Sequence, residues 1–415
     1  MSKKTATIII IIFVVLLVGG LIAFYFYANQ GQGNGIGTTD VRGNIFPTSK
    51  TGNGAPHGNT TATTTTVTTP STITENQPIL TIKELSTKPS AGAVAIATTT
   101  SITPLVRFIE RGTGNVYEVR PDSNTETRLS NTTIAKISEA FWNKGGTRVL
   151  ARYTGDNGDS IKTYSALLTK SLNQPEGELQ GVFLTENIRS LAVNPDKSKV
   201  FYLLEHSAGS TGIVSDFDGT KKTQIFDSLL SEWLPDWPTA TRVSLTSKAS
   251  AGVPGFMYLL NTQTGALTRA ISGIVGLTTL VNSDASSALY SESGKDNFAL
   301  KIYSFKTATV KDVAIQTLPE KCVWSKNDLE TIYCSVPTYM PTGAYPDIWY
   351  QGLVSFSDEI WKIDGRTGAG ELIGKLKNAT RADIDGVNLF LSPKEDYLFF
   401  TNKNDFHLWS VRLQQ

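Results

Sequence analysis

Residues 191–204 read LAVNPDKSKVFYLL: an apolar run, a short polar turn, and a second apolar run. The runs are too short for helices and are rich in β-branched and aromatic residues, as two strands of a hairpin would be. The same phrase returns as AFWNKGGTRVLARY (140–153), TLVNSDASSALYS (279–291), CVWSKNDLETIYC (322–334) and LFLSPKEDYLFF (389–400), with a weaker copy in EWLPDWPTATRVSL (232–245). The turn positions Asn143, Asn194, Pro235, Asn282, Ser325 and Ser392 recur roughly every 40 to 50 residues, with one gap of 67 before Ser392.

A second phrase follows each hairpin, as in GIVSDFDGTKKTQIF, FMYLLNTQTGALTRAI, LKIYSFKTATVKDVAI and EIWKIDGRTGAGELI. Asp-Gly and Thr-Gly at these turns supply the backbone freedom of a tight hairpin. Two hairpins per period make four antiparallel strands, which is one blade of a β-propeller. AVAIA, LVRFIER, NVYEVRP and ETRLS supply a less regular first blade. The last copy ends on FHLWSVRL and lacks an outermost strand, and ILTIKEL (79–85) fits that vacancy. Pairing the two ends closes the ring and removes an exposed sheet edge. The expectation is an all-β propeller over residues 79–415 with seven four-stranded blades. Blades one and four are weak, so six and eight stay open.

The NPD-type turn (Asn194-Pro195-Asp196), its degenerate copy LSPKE (391–395) and the D-G or T-G hairpins resemble the TolB-like and WD40-like propeller superfamily. The WD dipeptide and GH motif of true WD40 repeats are missing, so the likeness is architectural. The layout also resembles bacterial membrane proteins built of an anchor, a stalk and a propeller, a resemblance that implies no biochemical activity.

The N-terminal part supplies that anchor and stalk. Ile8 to Tyr27 reads IIIIIFVVLLVGGLIAFYFY, and no charge falls between Lys4 and Asp40. About 20 apolar residues in a helix span the roughly 30 Å hydrocarbon core of a bilayer. Lys3 and Lys4 precede the run and the first basic residue after it is Arg42, which places the N-terminus in the cytoplasm and the bulk outside. The division expected is 1–7 cytoplasmic, 8–28 transmembrane helix, 29–78 linker and 79–415 propeller. The competing reading is a cleaved signal peptide, but the run is longer than the usual signal core and no clear small-x-small site follows. Both readings export the rest of the chain. Residues 29–78 are Gly, Thr, Asn and Pro with few large apolar groups, a composition that cannot offset the entropy of ordering.

The two cysteines, Cys322 and Cys334, bracket one hairpin. If Trp324 faces Ile332, then Cys322 faces Cys334, within reach of a disulfide at about 4.5–5.5 Å between Cα atoms. Outside the cytoplasm such a pair oxidises; the other reading is two buried thiols.

Chemistry is sparse. There is no G-x-S-x-G elbow, phosphate loop or dinucleotide fingerprint. His206 and His407 are the only histidines of the folded region, so no metal site, cofactor or catalytic constellation is expected. Asp216/Asp218, Asp383/Asp385 and the polar loop of Asp156, Asn157 and Asp159 suggest cation loops but lack the full ligand spacing. With 38 basic and 37 acidic residues, nothing draws the chain to nucleic acid. Trp142, Trp233 and Trp324 fall at related strand positions and are expected between blades.

One connection stands out. TYMPTGAYPDIWYQG (338–352) in blade six is far longer than its counterparts and dense in rings. Tyr339, Tyr345, Asp347, Trp349 and Tyr350 form a candidate partner-binding loop. The equal alternative is that these rings fold back and cap the blade. The leading functional expectation is an extracytoplasmic module that binds a protein, a glycan or cell-envelope material, without catalysis. The rival is a propeller hydrolase or lyase acting on glycans, with paired carboxylates in the central funnel.

Overall fold

The computed structural model describes residues 81–413 except Thr100, Asp156, Asn157, Asp159, 171–173 and 295–297. The expected anchor and linker therefore lie outside the described residues. Among the described residues no helix is long and apolar enough to cross a membrane.

Seven separate four-stranded antiparallel sheets follow one another along the chain. Blade three shows the pattern, with strands a to d at Ile188–Val193, Lys199–His206, Gly209–Asp216 and Thr223–Ser228. The a strands of most successive blades contact each other, as between blades one and two, three and four, and six and seven. The a–b and c–d turns fall on one face, and the b–c and d–a connections on the other. The count is seven, weak blades included.

The seventh sheet is completed by β1 (Ile82–Ser86), which pairs with the last strand, Leu408–Arg412, in the register Ile82↔Val411, Lys83↔Ser410 and Glu84↔Trp409. The ends of the domain thus close the ring, as the vacancy in the last repeat implied. Across this seam His407 Nδ1 lies 2.6 Å from Glu84 Oε1.

The recurring turn is held by its asparagine. Asn194 Oδ1 accepts the N–H groups of Ser198 (2.9 Å) and Lys199 (2.8 Å). Asn143 does the same to Thr147 and Arg148, and Asn282 to Ser286 and Ser287. One amide oxygen thereby satisfies two backbone donors that the hairpin leaves unpaired.

The core lies between blades. Trp142 of blade two packs on Val94 of blade one, and Trp324 of blade six on Leu289 and Leu300 of blade five. Each indole N–H donates to the preceding blade's inner strand, Trp142 to Gly92 O (3.1 Å) and Trp324 to Leu280 O (3.0 Å). Trp233 packs in the same kind of core beside Ala192 and Phe201, but it stands at the start of its strand opposite Ser247, whereas Trp142 and Trp324 stand at the ends of theirs beside the turn, so the three do not share one position as expected. Cys322 and Cys334 face each other in register with Trp324↔Ile332 and form a disulfide, with Cα atoms 4.1 Å apart.

Candidate functional site

The long connection of blade six runs from Pro337 to Asp358 on the b–c face and holds one helical turn, Asp347–Tyr350. Tyr345 (2 % exposed) and Trp349 (5 %) turn inward and join Phe298, Leu318 and Phe356 in a cluster beneath the loop. Asp347 Oδ2 accepts the Ala251 N–H of blade four (2.5 Å). Lys403 Nζ of blade seven donates to Trp349 O (2.6 Å), and the Ser293 hydroxyl of blade five to Tyr345 O. The loop is therefore fastened to blades on both sides of its own. Of the five sequence candidates, Tyr345, Asp347 and Trp349 secure it, while Tyr339 (73 % exposed) and Tyr350 (41 %) present rings to solvent.

Under the loop lies a charge cluster that no local pattern announced. Lys321 ends the 3-10 turn Pro319–Lys321 and is fully buried. Its Nζ donates to Asp358 Oδ2 (2.7 Å), Asp385 Oδ1 and Gly386 O (3.1 Å). Both carboxylates are as buried as the lysine. Asp385 Oδ2 also accepts Trp349 Nε1–H (2.9 Å) and the Phe356 N–H (3.2 Å), so the loop is tied directly to the cluster. The Lys321 ammonium sits 5.6 Å from the Trp349 ring centroid and 5.3 Å from that of Phe356. Burial lifts the Asp358 carboxyl to about 6, against the opposing pull of Lys321. Asp358 Oδ1 has no hydrogen-bond partner.

Asp358 and Asp385 form a buried pair of acids that a lysine bridges and protein closes off from solvent. Their arrangement braces the loop. Lys321 lies 37 residues from Asp358 and 64 from Asp385. The only sequence hint was Asp385, singled out as half of a cation pair with Asp383. The structure separates that pair, since Asp383 bonds Lys377 at 3.0 Å. Asp218 caps its own turn through Thr220, and Asp216 pairs with Lys199 and Lys221. Asp156, Asn157 and Asp159 lie outside the described residues. His206 is exposed on a hairpin, and no group of three or more His, Cys, Asp or Glu is placed to hold a metal ion among the described residues.

Other connections of the same face also expose large apolar side chains. Leu353 (70 % exposed) follows the helical turn, Leu229 (89 %) and Leu230 lie in a d–a connection, and Val253 in a b–c connection. Val182 and Phe183 end the d strand of blade two. With Tyr339 and Tyr350, eight of the twelve large apolar side chains exposed among the described residues belong to this face. A cavity of about 570 Å³ flanks the loop, lined in part by Phe298, Gln316, Met340 and Tyr345.

No family model matches the chain, and no curated protein sequence does. Solved structures do match. An oligogalacturonate lyase in complex with manganese superposes with a TM-score of 0.51 at 10 % identity, covering 81 % of this chain and 96 % of the other. An oligogalacturonate lyase from Vibrio parahaemolyticus gives 0.49 at 11 %, covering 81 % and 97 %. TolB from Acinetobacter baumannii gives 0.41 at 10 %, covering 78 % and 80 %. These likenesses concern the fold. With the seven closed blades, they show a β-propeller fold, the architecture that the repeats implied. Likeness of fold at this identity does not choose between an enzyme and a binding module.

Proposed function

We propose that this chain is an interaction module, displayed outside the cytoplasm on an N-terminal membrane anchor, that takes a protein partner on its b–c and d–a face. The observation that carries the reading is the number of large apolar side chains exposed on the connections of that face, three of them, Tyr339, Tyr350 and Leu353, on a loop fixed from beneath. Exposed apolar groups in such number on one surface favour removal from water by a partner. A loop already pinned by Lys321, Asp385 and Lys403 loses little further freedom on binding. The display outside the cytoplasm is supported by the apolar run Ile8–Tyr27, by Lys3 and Lys4 before it, and by the Cys322–Cys334 bond, which persists in oxidising compartments.

The test is proximity labelling in intact cells, comparing the wild-type chain with a Leu229→Ser/Tyr339→Ser/Leu353→Ser variant. The expected result is a defined set of neighbouring proteins that the variant no longer labels, at unchanged abundance and thermal stability. A labelled set identical in both chains would sink the reading. Trapping thiols before lysis tests the compartment separately: Cys322 and Cys334 should be recovered oxidised.

A further inference from the structure

At the opposite face the axis opens between the a–b turns. A cavity of about 480 Å³ lies there, walled in part by Val323, Trp324 and Phe390 and rimmed by Lys144, Lys197 and Lys326. The three lysines come from the a–b turns of blades two, three and six, so only the closed ring brings them together. Lys197 takes the left-handed position of its turn, φ 56°, which Gly146 takes in blade two, Ala285 in blade five and Glu395 in blade seven. The repeat therefore does not demand a lysine there.

None of the three amines has a carboxylate at ion-pairing distance or a hydrogen-bond acceptor among the described residues. Two acids lie nearby: Glu395 lines the same cavity, and the Lys326 charge acts on the buried Asp236 carboxyl. Glu395 accepts the Ser325 hydroxyl (2.5 Å) and the N–H groups of Lys326 (2.7 Å) and Asn327 (3.3 Å). Asp236 of blade four accepts the Trp237 N–H (2.8 Å). Burial, with the Lys326 charge as the second cause, lowers the Lys197 amine to about 8. A half-buried cation facing another cation, with no carboxylate at ion-pairing distance, is an electrostatic cost that a bound anion would reduce.

We propose that this mouth of the axial channel binds a small organic oxyanion, a molecule of sugar size carrying a phosphate or a carboxylate. The volume suits such a body, since small-molecule sites measure about 300–1,000 Å³. Lysine ammonium groups attract charge without imposing the two-pronged geometry of arginine, so they accept either oxyanion. The apolar walls favour an organic body over a bare ion. The site lies on the face opposite the proposed partner surface and does not depend on it.

The test is calorimetric titration of the purified full-length chain in detergent with glucose 6-phosphate, glucuronate, glucose and inorganic phosphate. Glucose 6-phosphate, glucuronate or both should bind at one site per chain, at least about tenfold tighter than glucose, and the one preferred identifies the oxyanion. Lys197→Gln/Lys326→Gln should weaken that binding by about tenfold or more while leaving thermal unfolding unchanged. Should this variant misfold, the wild type still decides: at pH 8 Lys197 should be acetylated ahead of the exposed lysines, and the bound ligand should protect it. No binding, equal binding of glucose, binding of inorganic phosphate alone, undiminished binding by a folded variant, or no protection of Lys197 would each overturn the proposal.

Discussion

Replacing Lys321 with methionine isolates the brace beneath the blade-six loop. Methionine keeps an unbranched apolar stem and removes only the ammonium. The wild-type Nζ serves Asp358, Asp385 and the Gly386 carbonyl, and all three side chains of the cluster are fully buried. Breaking a buried ion pair by removing one partner costs about 3–5 kcal/mol, because it strands an uncompensated charge. Two carboxylates are stranded here, yet the loss should not double. Asp385 keeps the Trp349 and Phe356 donors, Asp358 keeps the Gly386 N–H, and one carboxyl can protonate. The expected loss is therefore about 3–5 kcal/mol in urea unfolding of the full-length chain. Trp349 hangs from the same Asp385, so proteolysis within 338–357 should accelerate before the rest of the ring yields. The variant Lys321→Met/Asp358→Asn/Asp385→Asn removes the stranded charges and should regain most of the loss. A Lys321→Met protein that loses less than about 1 kcal/mol, or a neutral variant no better than the single one, would refute the reasoning.

Three further outcomes are expected. Cys322→Ser/Cys334→Ser, or reduction of the wild type, should lower stability by about 3 kcal/mol in the chain-entropy model, read as a shift of the urea midpoint; an unmoved midpoint would show that the bond adds nothing. Asp358 holds its proton more tightly folded than unfolded, with a value of about 6 against about 3.9 for a free side chain. Its contribution to stability is then fully present below about pH 4 and lost as pH rises through 6, a difference of the order of 2–3 kcal/mol between wild type and Asp358→Asn across that window. A pH-independent difference would contradict it. Gly92→Val should destabilise by about 1–3 kcal/mol or more in thermal unfolding, because a Cβ there would stand 2.1 Å from the Ala140 carbonyl oxygen of the next blade.

The ring was legible because its determinants are local and repeated. An asparagine that caps its own hairpin leaves the same mark at 143, 194 and 282, and two cysteines in register reveal themselves by spacing alone. Blade four blurred because its turn lacks that asparagine: Pro235, expected at the turn, lies within the strand opposite Leu245, and the chain turns later, between Thr239 and Arg242. The loop was legible as long and aromatic, but not in which way each ring faces. That depends on Ala251, Asp385 and Lys403, from three different connections, and on Ser293 at the end of a blade-five strand. The Lys321 cluster was illegible for the same reason, since a charged residue between Leu318 and Cys322 looks in sequence like any surface loop. Only the stacking of blades five to seven makes it interior.

The seam between Ile82 and Val411 joins residues 329 positions apart, the difference of the two numbers. Bringing such distant ends together costs about 3 kcal/mol more chain entropy than closing a twelve-residue hairpin. Six blades form from neighbours in sequence and can assemble as the chain emerges during synthesis. The seventh cannot: its outer strand is among the first residues of the domain to be made, and the strand it pairs with is among the last. Until residue 412 has been added, Ile82–Ser86 remains an unpaired edge open to foreign strands. Closure therefore separates a finished propeller from a truncated one, and gives proteolytic surveillance a specific feature by which to recognise the incomplete product.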